Sequence, residues 1–179
     1  IKVIAHDKAG NTRSTSVSVT TDNTMPFASI SAPKNNSYVY GTIEIDIAGE
    51  DANFNRTELF INGSLVASWA VGGTGTFSWS TVAFTDETYI IALEVYDDAN
   101  NFATDEISVA VDNTLPSVSI TNPQAGTSLS GIISINFTAS DTNLELVQLF
   151  IDHSVFNVTG ATSYQWDTTK VGDDAYIIR

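Results

Sequence analysis

The sequence contains no cysteine and few basic residues, and these two absences exclude several classes of function. Without cysteine the 179-residue chain has no disulfides, no thiolate metal ligands and no thiol nucleophile. Only 7 Lys and Arg side chains accompany 21 Asp and Glu side chains, which gives a formal net charge of −14. Because so acidic a surface repels phosphate groups, we expect neither a nucleic-acid partner nor an anionic membrane surface. It attracts cations instead.

Long apolar runs and helical periodicity are also missing. No apolar run approaches the ~20 residues that a membrane-spanning helix needs, so we expect no membrane insertion in this segment. No stretch shows a sustained apolar stripe at positions i, i+3, i+4 and i+7, whereas Val, Ile, Thr, Tyr and Phe are abundant. The sequence therefore predicts an all-β protein with essentially no helix.

The chain repeats itself with a period of about 90 residues. The motif DNTMP at 22–26 recurs as DNTLP at 112–116, and the run Leu-Phe-Ile at 59–61 recurs at 149–151. Such a period indicates tandem modules, each formed by one copy of the repeat.

Three segments follow from the repeat. The offset of 90 also joins the beginning of the chain to the complete copy, since Asp7 and Asp22 precede Asp97 and Asp112 by that distance. Because Ile1 falls within a predicted strand, with no signal peptide before it, we expect an internal segment of a longer protein. The predicted segments are the last strands of one module at 1–24, a complete module at 25–114, and a module without its last strands at 115–179.

Within the complete module, apolar and polar residues alternate over short stretches that Gly, Asn and Asp separate. This pattern is typical of a sandwich of about seven strands, in which every second side chain faces the core. Residues 61–64, Ile-Asn-Gly-Ser, predict a two-residue hairpin turn. Acidic turns before Tyr89 and Tyr176 predict tyrosine corners. The side chains expected to face the core in matching strands of the two copies are Ile43, Ile45, Ile47, Ile133, Ile135 and Phe137.

These features resemble the immunoglobulin-like repeats of bacterial and archaeal surface adhesins, S-layer-type proteins and the non-catalytic tails of secreted subtilisin-like proteases. The matching motifs are the DNT-x-P linker, a glycine before the second strand, and the segments GED at 49–51, ASD at 139–141, WDTT at 166–169 and DKAGN at 7–11. The first copy departs from the pattern, with WSTV at 79–82. The resemblance implies tandem Ig-like β-sandwich modules.

The resemblance further implies a non-catalytic, extracellular or cell-surface protein of a prokaryote. We expect a structural repeat of a stalk, surface layer or filament, whose partners are neighbouring copies or adjacent modules. The alternatives are an adhesion module that binds glycan or protein, and an accessory tail of a secreted hydrolase. No catalytic constellation is recognisable, so we expect no enzyme.

The sequence begins and ends within a predicted strand of the repeat, and two interpretations fit this phase. In the first, which we favour, the polypeptide continues in both directions as a tandem array. In the second, residues 1–24 of one copy complete the last module of another copy, head to tail, which produces a filament.

In an Ig topology the loop between the second and third strands and the last hairpin loop meet the incoming linker. Carboxylates cluster at those places, and with backbone and amide oxygens they suit Ca²⁺. The alternative is that each one only hydrogen-bonds its own turn. The predicted ligands between modules are Asp22, Asp51, Asp97 and Asp98 at the first junction and Asp112 and Asp141 at the second.

Asparagine and one tryptophan supply the remaining candidates. Trp69 has no counterpart in the second copy. It binds sugar, makes a contact between fibres or packs on its own sheet, and we favour packing. The glycine-rich segment 71–75 lacks the helix and Lys of a phosphate loop and predicts a hairpin tip. Composition alone explains most of the five glycosylation sequons, at Asn35, Asn55, Asn62, Asn136 and Asn157.

Overall fold

β-Structure dominates the computed structural model, which describes residues 1–70 and 73–179. The chain divides into two units, Ile1–Asn113 and Thr114–Arg179, and the division falls one residue before the boundary that the repeat predicts. Within the described residues, the one helical element is the short 3-10 turn Thr168–Lys170. Those residues include no helix with the length and apolar character needed to cross a bilayer. The prediction of an all-β chain is confirmed.

The first unit consists of a hairpin followed by a sandwich. In the hairpin, β1 (Lys2–His6) pairs antiparallel with β2 (Thr12–Ser16). The strands of the sandwich are β3 (Phe27–Ala32), β4 (Ser37–Val39), β5 (Thr42–Glu50), β6 (Phe54–Ile61), β7 (Ser64–Trp69), β8 (Gly75–Ser80), β9 (Thr88–Asp97) and β10 (Phe102–Val111).

Two sheets enclose the core of this sandwich. One has the strand order β3-β5-β8, and the other has the order β4-β10-β9-β6-β7. The alternation predicted for β5 is confirmed, because Ile45 and Ile47 are buried while Glu44 is exposed. Strand β4 was not predicted, since three residues are too few to show alternation; it pairs in parallel with the end of β10. The apolar side chains with no exposed surface at the centre are Ile45, Leu59, Ile91, Leu93 and Val95.

The second unit repeats this plan with fewer strands. Its sheets have the orders β11-β12-β15 and β13-β14, where β11 is Ser117–Asn122, β12 Ile132–Ser140, β13 Gln148–Ile151, β14 Ser154–Asn157 and β15 Ser163–Asp167. A single antiparallel bridge joins Ile151 to Ile178, at the positions where Ile61 pairs with Ile91 in the first unit. The buried core contains Ile135, Phe137, Leu149, Ile151 and Val158.

Aromatic anchors occupy equivalent places in the two units. Trp79 is buried and meets Tyr89 edge to face, with 5.6 Å between ring centroids. Trp166 meets Tyr176 in the same way at 5.2 Å. The hydroxyls of the two tyrosines donate to backbone carbonyls four residues upstream, at 3.3 Å and 3.1 Å respectively. The predicted tyrosine corners are therefore confirmed.

The hairpin turn predicted at 61–64 is also present. Asn62 and Gly63 both have positive φ, 45° and 75°, as a type I′ turn requires. In the second unit Asp152 has a φ of 48°, and Ile151 pairs with Ser154 in the register of Ile61 with Ser64. Aspartate therefore replaces asparagine in this turn without changing its length.

Asn113 fixes the linker that leaves the sandwich. Its side-chain Oδ1 accepts hydrogen bonds from the Gly41 backbone N–H at 3.2 Å and from the Thr81 hydroxyl at 3.0 Å. Its Nδ2 donates to the Thr81 carbonyl at 2.9 Å, and its backbone N–H donates to Asp86 at 2.8 Å. Because Thr81 is fully buried, this one amide satisfies polar groups that water does not reach easily.

Replacement of Asn113 by alanine is expected to lower the free energy of unfolding by about 1–3 kcal/mol, because partners around a buried threonine lose their hydrogen bonds. Urea unfolding followed by circular dichroism measures the change. Asn23→Ala is the matched control, since Asn23 occupies the same place in the other DNT motif and is exposed. Equal losses in the two variants would contradict the role of the amide.

Candidate functional site

The incoming linker is attached to the complete sandwich through Asp22. One carboxylate oxygen, Oδ1, accepts from the backbone N–H of Thr24 at 2.9 Å, and Oδ2 accepts from Asn53 Nδ2 at 2.6 Å. The backbone carbonyl of Asp22 accepts from Asn101 Nδ2 at 3.2 Å. Asn53 lies in the loop between β5 and β6, and Asn101 lies in the loop between β9 and β10. The linker is thus bound to two loops at one end of the sandwich.

Each of these loops is organised by its own aspartate. Asp51 accepts from the backbone N–H of Asn53 at 2.7 Å. Asp97, only 1% exposed, accepts from the backbone N–H of Asn101 at 2.8 Å and from its Nδ2 at 2.6 Å. These bonds are Asx-type contacts, in which the side chain imitates a backbone turn. They place each carboxylate at a fixed point of its loop.

Three of the six predicted metal ligands come together in this way. One carboxylate oxygen from each of Asp22, Asp51 and Asp97 lies within 4.8 Å of the other two. Two like charges at about 4 Å repel each other by about 1 kcal/mol in water and about 4 kcal/mol at an effective dielectric constant of 20. The linker and two loops therefore converge on a point of negative potential.

Hydrogen bonds keep Asp22 ionised at this point. The backbone N–H of Thr24 and then the side chain of Asn53 hold the pKa of the Asp22 carboxyl below its ordinary value of 3.8. In the β1–β2 hairpin, the side chain of Asn11 similarly holds the pKa of Asp7 below 3.8. Both carboxyls are solvated, so neighbouring donors rather than burial determine their charge.

The remaining predicted ligands lie elsewhere. Asp98 is exposed and accepts from Asn55 Nδ2 at 2.8 Å, outside the group of three. Asp112 belongs to the first unit, where its backbone N–H donates to Val39 at 3.0 Å. Asp141 belongs to the second unit and accepts from the backbone N–H of Asn143 at 2.8 Å, as Asp51 does from Asn53.

Sequence reasoning missed the asparagines that hold the carboxylates. A signal for them exists in the repeat, since Asn101 recurs as Asn11 and Asn53 as Asn143 at the offset of 90. The Asn11 amide donates to Asp7 at 2.7 Å, as the Asn101 amide does to Asp97. A shared aspartate and a shared asparagine four residues later therefore define this loop.

The other candidates are distributed over the surface and sheets. Trp69 is partly buried and packs against the core of its own sandwich. The segment 71–75 includes residues 71 and 72, which lie outside the described residues. Asn35 lies between β3 and β4, Asn55 in β6, Asn62 in a turn, and Asn157 at the end of β14, and all four are exposed; Asn136, in β12, is half-buried.

Comparison with known proteins extends this description. A family model described as a bacterial Ig domain matches residues 26–93 and 116–179, more than half of the chain. No curated protein matches. Among solved structures, the fibronectin(III)-like modules of CbhA from Clostridium thermocellum share the fold, with a TM-score of 0.50 and 17% identity, over 79% of this chain and 78% of that one.

Two other solved structures align less closely. An endo-β-1,4-mannanase from Thermotoga petrophila aligns with 52% of this chain at 19% identity and a TM-score of 0.43, and the match spans 21% of the mannanase chain. A Bacteroides ovatus protein, SGBP-B of a mixed-linkage glucan utilization locus, aligns with 88% of this chain at 16% identity and a TM-score of 0.38, over 44% of its own length.

The Asn53 amide has a measurable effect on Asp22. We expect Asn53→Ala to raise the pKa of Asp22 part of the way toward 3.8, because the bond from the Thr24 N–H remains. Since the folded pKa is lowered, the stability that the Asp22 carboxylate contributes is complete above 3.8 and is lost as the pH falls through the pKa of Asp22. Carboxyl chemical shifts in an NMR titration measure the pKa.

Asp7 is the internal control for that titration. Its pKa depends first on Asn11, so it is expected to stay constant in the Asn53→Ala variant. An unchanged Asp22, or equal changes at Asp22 and Asp7, would contradict the contact between the linker and the β5–β6 loop.

Proposed function

Because the chain belongs to the bacterial Ig domain family, we propose that it is a non-catalytic structural repeat of an extracellular stalk, surface layer or filament. The observation that carries this proposal is the attachment of both linkers of the complete module to that module. Asp22 is bonded to two loops where the chain comes in, and Asn113 is bonded to Thr81 and Gly41 where it leaves.

Attachment of the linkers has a mechanical consequence. A free linker of Gly and Ser behaves as a random coil, so force or thermal motion bends it easily. Here the two DNT segments have less of that freedom. Position 22 in the first segment and positions 112 and 113 in the second each make a bond to a loop or strand of the module. A module of this kind transmits length and direction along an array, which is the property that a stalk requires.

The acidic loops also support a structural role. Asp51 and Asp97 use their oxygens to close turns, and Asp22 uses its own to fix the linker. These tasks position backbone rather than substrate. The outward charge keeps such a protein soluble at a surface and apart from like-charged neighbours.

We further propose that Asp22, Asp51 and Asp97 bind Ca²⁺. Oxygen ligands are the ones that calcium prefers, and it tolerates irregular geometry. Their three carboxylates lie within 4.8 Å of one another, so a cation there would relieve their repulsion. The ion would also join the linker to both loops and make the attachment of the linker stronger.

Calcium titration tests the metal site. The melting temperature of the wild-type chain is expected to rise with Ca²⁺, by an amount set by the ratio of free ion to Kd. Asp51→Asn should abolish the rise, since it removes one charged ligand. Asp98→Asn, the same change of charge outside the group of three, should keep it. Identical responses of the two variants would exclude this site and leave the structural role standing.

Electron microscopy tests the structural role. Images of the full-length protein should show extended particles, and deletion of residues 25–114, one full period, should shorten them by one module. Folding should survive the deletion, because the repeat continues in register from 24 to 115. Compact particles whose length the deletion does not change would contradict the stalk and would favour an adhesion module or the accessory part of a hydrolase.

A further inference from the structure

The outward face of the five-stranded sheet carries a row of three side chains that the core does not use. Arg56 on β6, Tyr96 on β9 and Phe102 on β10 are neighbours across adjacent strands. The Arg56 guanidinium carbon lies 3.8 Å from the centroid of the Tyr96 ring. The rings of Tyr96 and Phe102 are stacked, with 5.7 Å between centroids and 27° between planes. Phe102 remains 49% exposed at the end of this row.

Carboxylates form the next row of the same face. Glu58 and Glu94 are direct cross-strand partners, an arrangement in which like charges destabilise a sheet. Arg56 Nε donates to Glu58 at 2.9 Å, and the Tyr96 hydroxyl donates to Glu94 at 2.5 Å. The hydrogen bond to Glu94 raises the pKa of Tyr96, so the phenol stays protonated. The two donors hold both carboxylates beside the aromatic row.

The fold does not require this group of side chains. Residues at the equivalent positions of the repeat lack the two rings and the paired charges, and four of these five residues still lie in strands. Arg56 and Glu58 correspond to Leu146 and Gln148 in the second unit, and Glu94, Tyr96 and Phe102 correspond to Ile4, His6 and Thr12 in the hairpin. Among the copies that the described residues contain, the stacked rings and the opposed carboxylates therefore occur in the complete module and not at the equivalent positions of the other two.

We propose that this face binds a neutral polysaccharide. The exposed ring of Phe102 offers a flat apolar surface with a negative π-face to the C–H groups of a sugar ring. Glu58 and Glu94 accept hydrogen bonds from sugar hydroxyls, and the guanidinium of Arg56 donates to ring or hydroxyl oxygens. The face thus provides an apolar ring and fixed polar groups side by side. In ligand sites the apolar surface contributes affinity and the polar groups set the orientation of the ligand.

Charge selects this ligand from others. A net charge of −14 and two carboxylates on the face repel anionic polysaccharides and a second copy of the same face. A neutral polysaccharide is not repelled by the acidic side chains of this face. The surface of a sheet is open at both ends, so it fits an extended chain rather than a small molecule. The site is independent of the stalk function, since it lies on the sheet and uses no linker residue.

Affinity electrophoresis tests the site, with soluble glucan, mannan or xylan in the gel and alginate as the anionic comparison. At least one neutral polysaccharide should retard the wild-type chain, and alginate should not. Phe102→Ala should weaken the retardation about tenfold or more, the usual size of a hot-spot aromatic. Tyr96→Phe keeps the ring, frees Glu94 and should weaken it less.

Phe27→Ala is the matched control, since Phe27 is 56% exposed on the other sheet. It should be retarded as strongly as the wild type. No retardation of the wild type by any of the three neutral polysaccharides would overturn the proposal, and so would equal retardation of Phe102→Ala. Concentration-dependent self-association that Phe102→Ala removes, without binding to polysaccharide, would assign the face to a contact between copies instead.

Discussion

Side-chain amides of asparagine determine where the linkers and loops of this protein lie. An amide donates and accepts at once, so Asn113 satisfies the Gly41 N–H and the Thr81 carbonyl together. Asn53 and Asn101 donate to the same residue of the incoming linker, Asp22. A carboxylate lacks the donors for such bonds. Without these amides the DNT segments would lose several of the bonds that hold them to the module.

The acidic composition explains why asparagine amides, rather than basic side chains, bind the carboxylates of the linkers and loops. With 21 acidic and 7 basic side chains, most carboxylates have no cation to pair with. Asp7 and Asp22 accept instead from neutral donors, which keep their carboxyls ionised and lower the pKa of each. Charge–dipole bonds of this kind are short and directional, so an acidic surface can still be ordered.

Sequence alone predicted the sheets more fully than the site. Alternation located β5 and β12, because burial of every second side chain is a local pattern. It missed β4, whose pairing with β10 depends on residues 72 positions away. The repeat and the Ig topology placed Asp22, Asp51 and Asp97 near one another, and Asp98, next in sequence, points to Asn55 instead. That difference depends on the side-chain direction in one loop, which spacing does not specify.

The internal repeat separates two kinds of polar residue. Asn11 and Asn101 make the same bond to Asp7 and Asp97, so these residues are part of the fold itself. Arg56, Tyr96 and Phe102 have no such counterparts, although their strands do. Opposed carboxylates and an exposed ring cost stability. Since the other copies fold without that cost, its presence in one module is best explained by a ligand for that face.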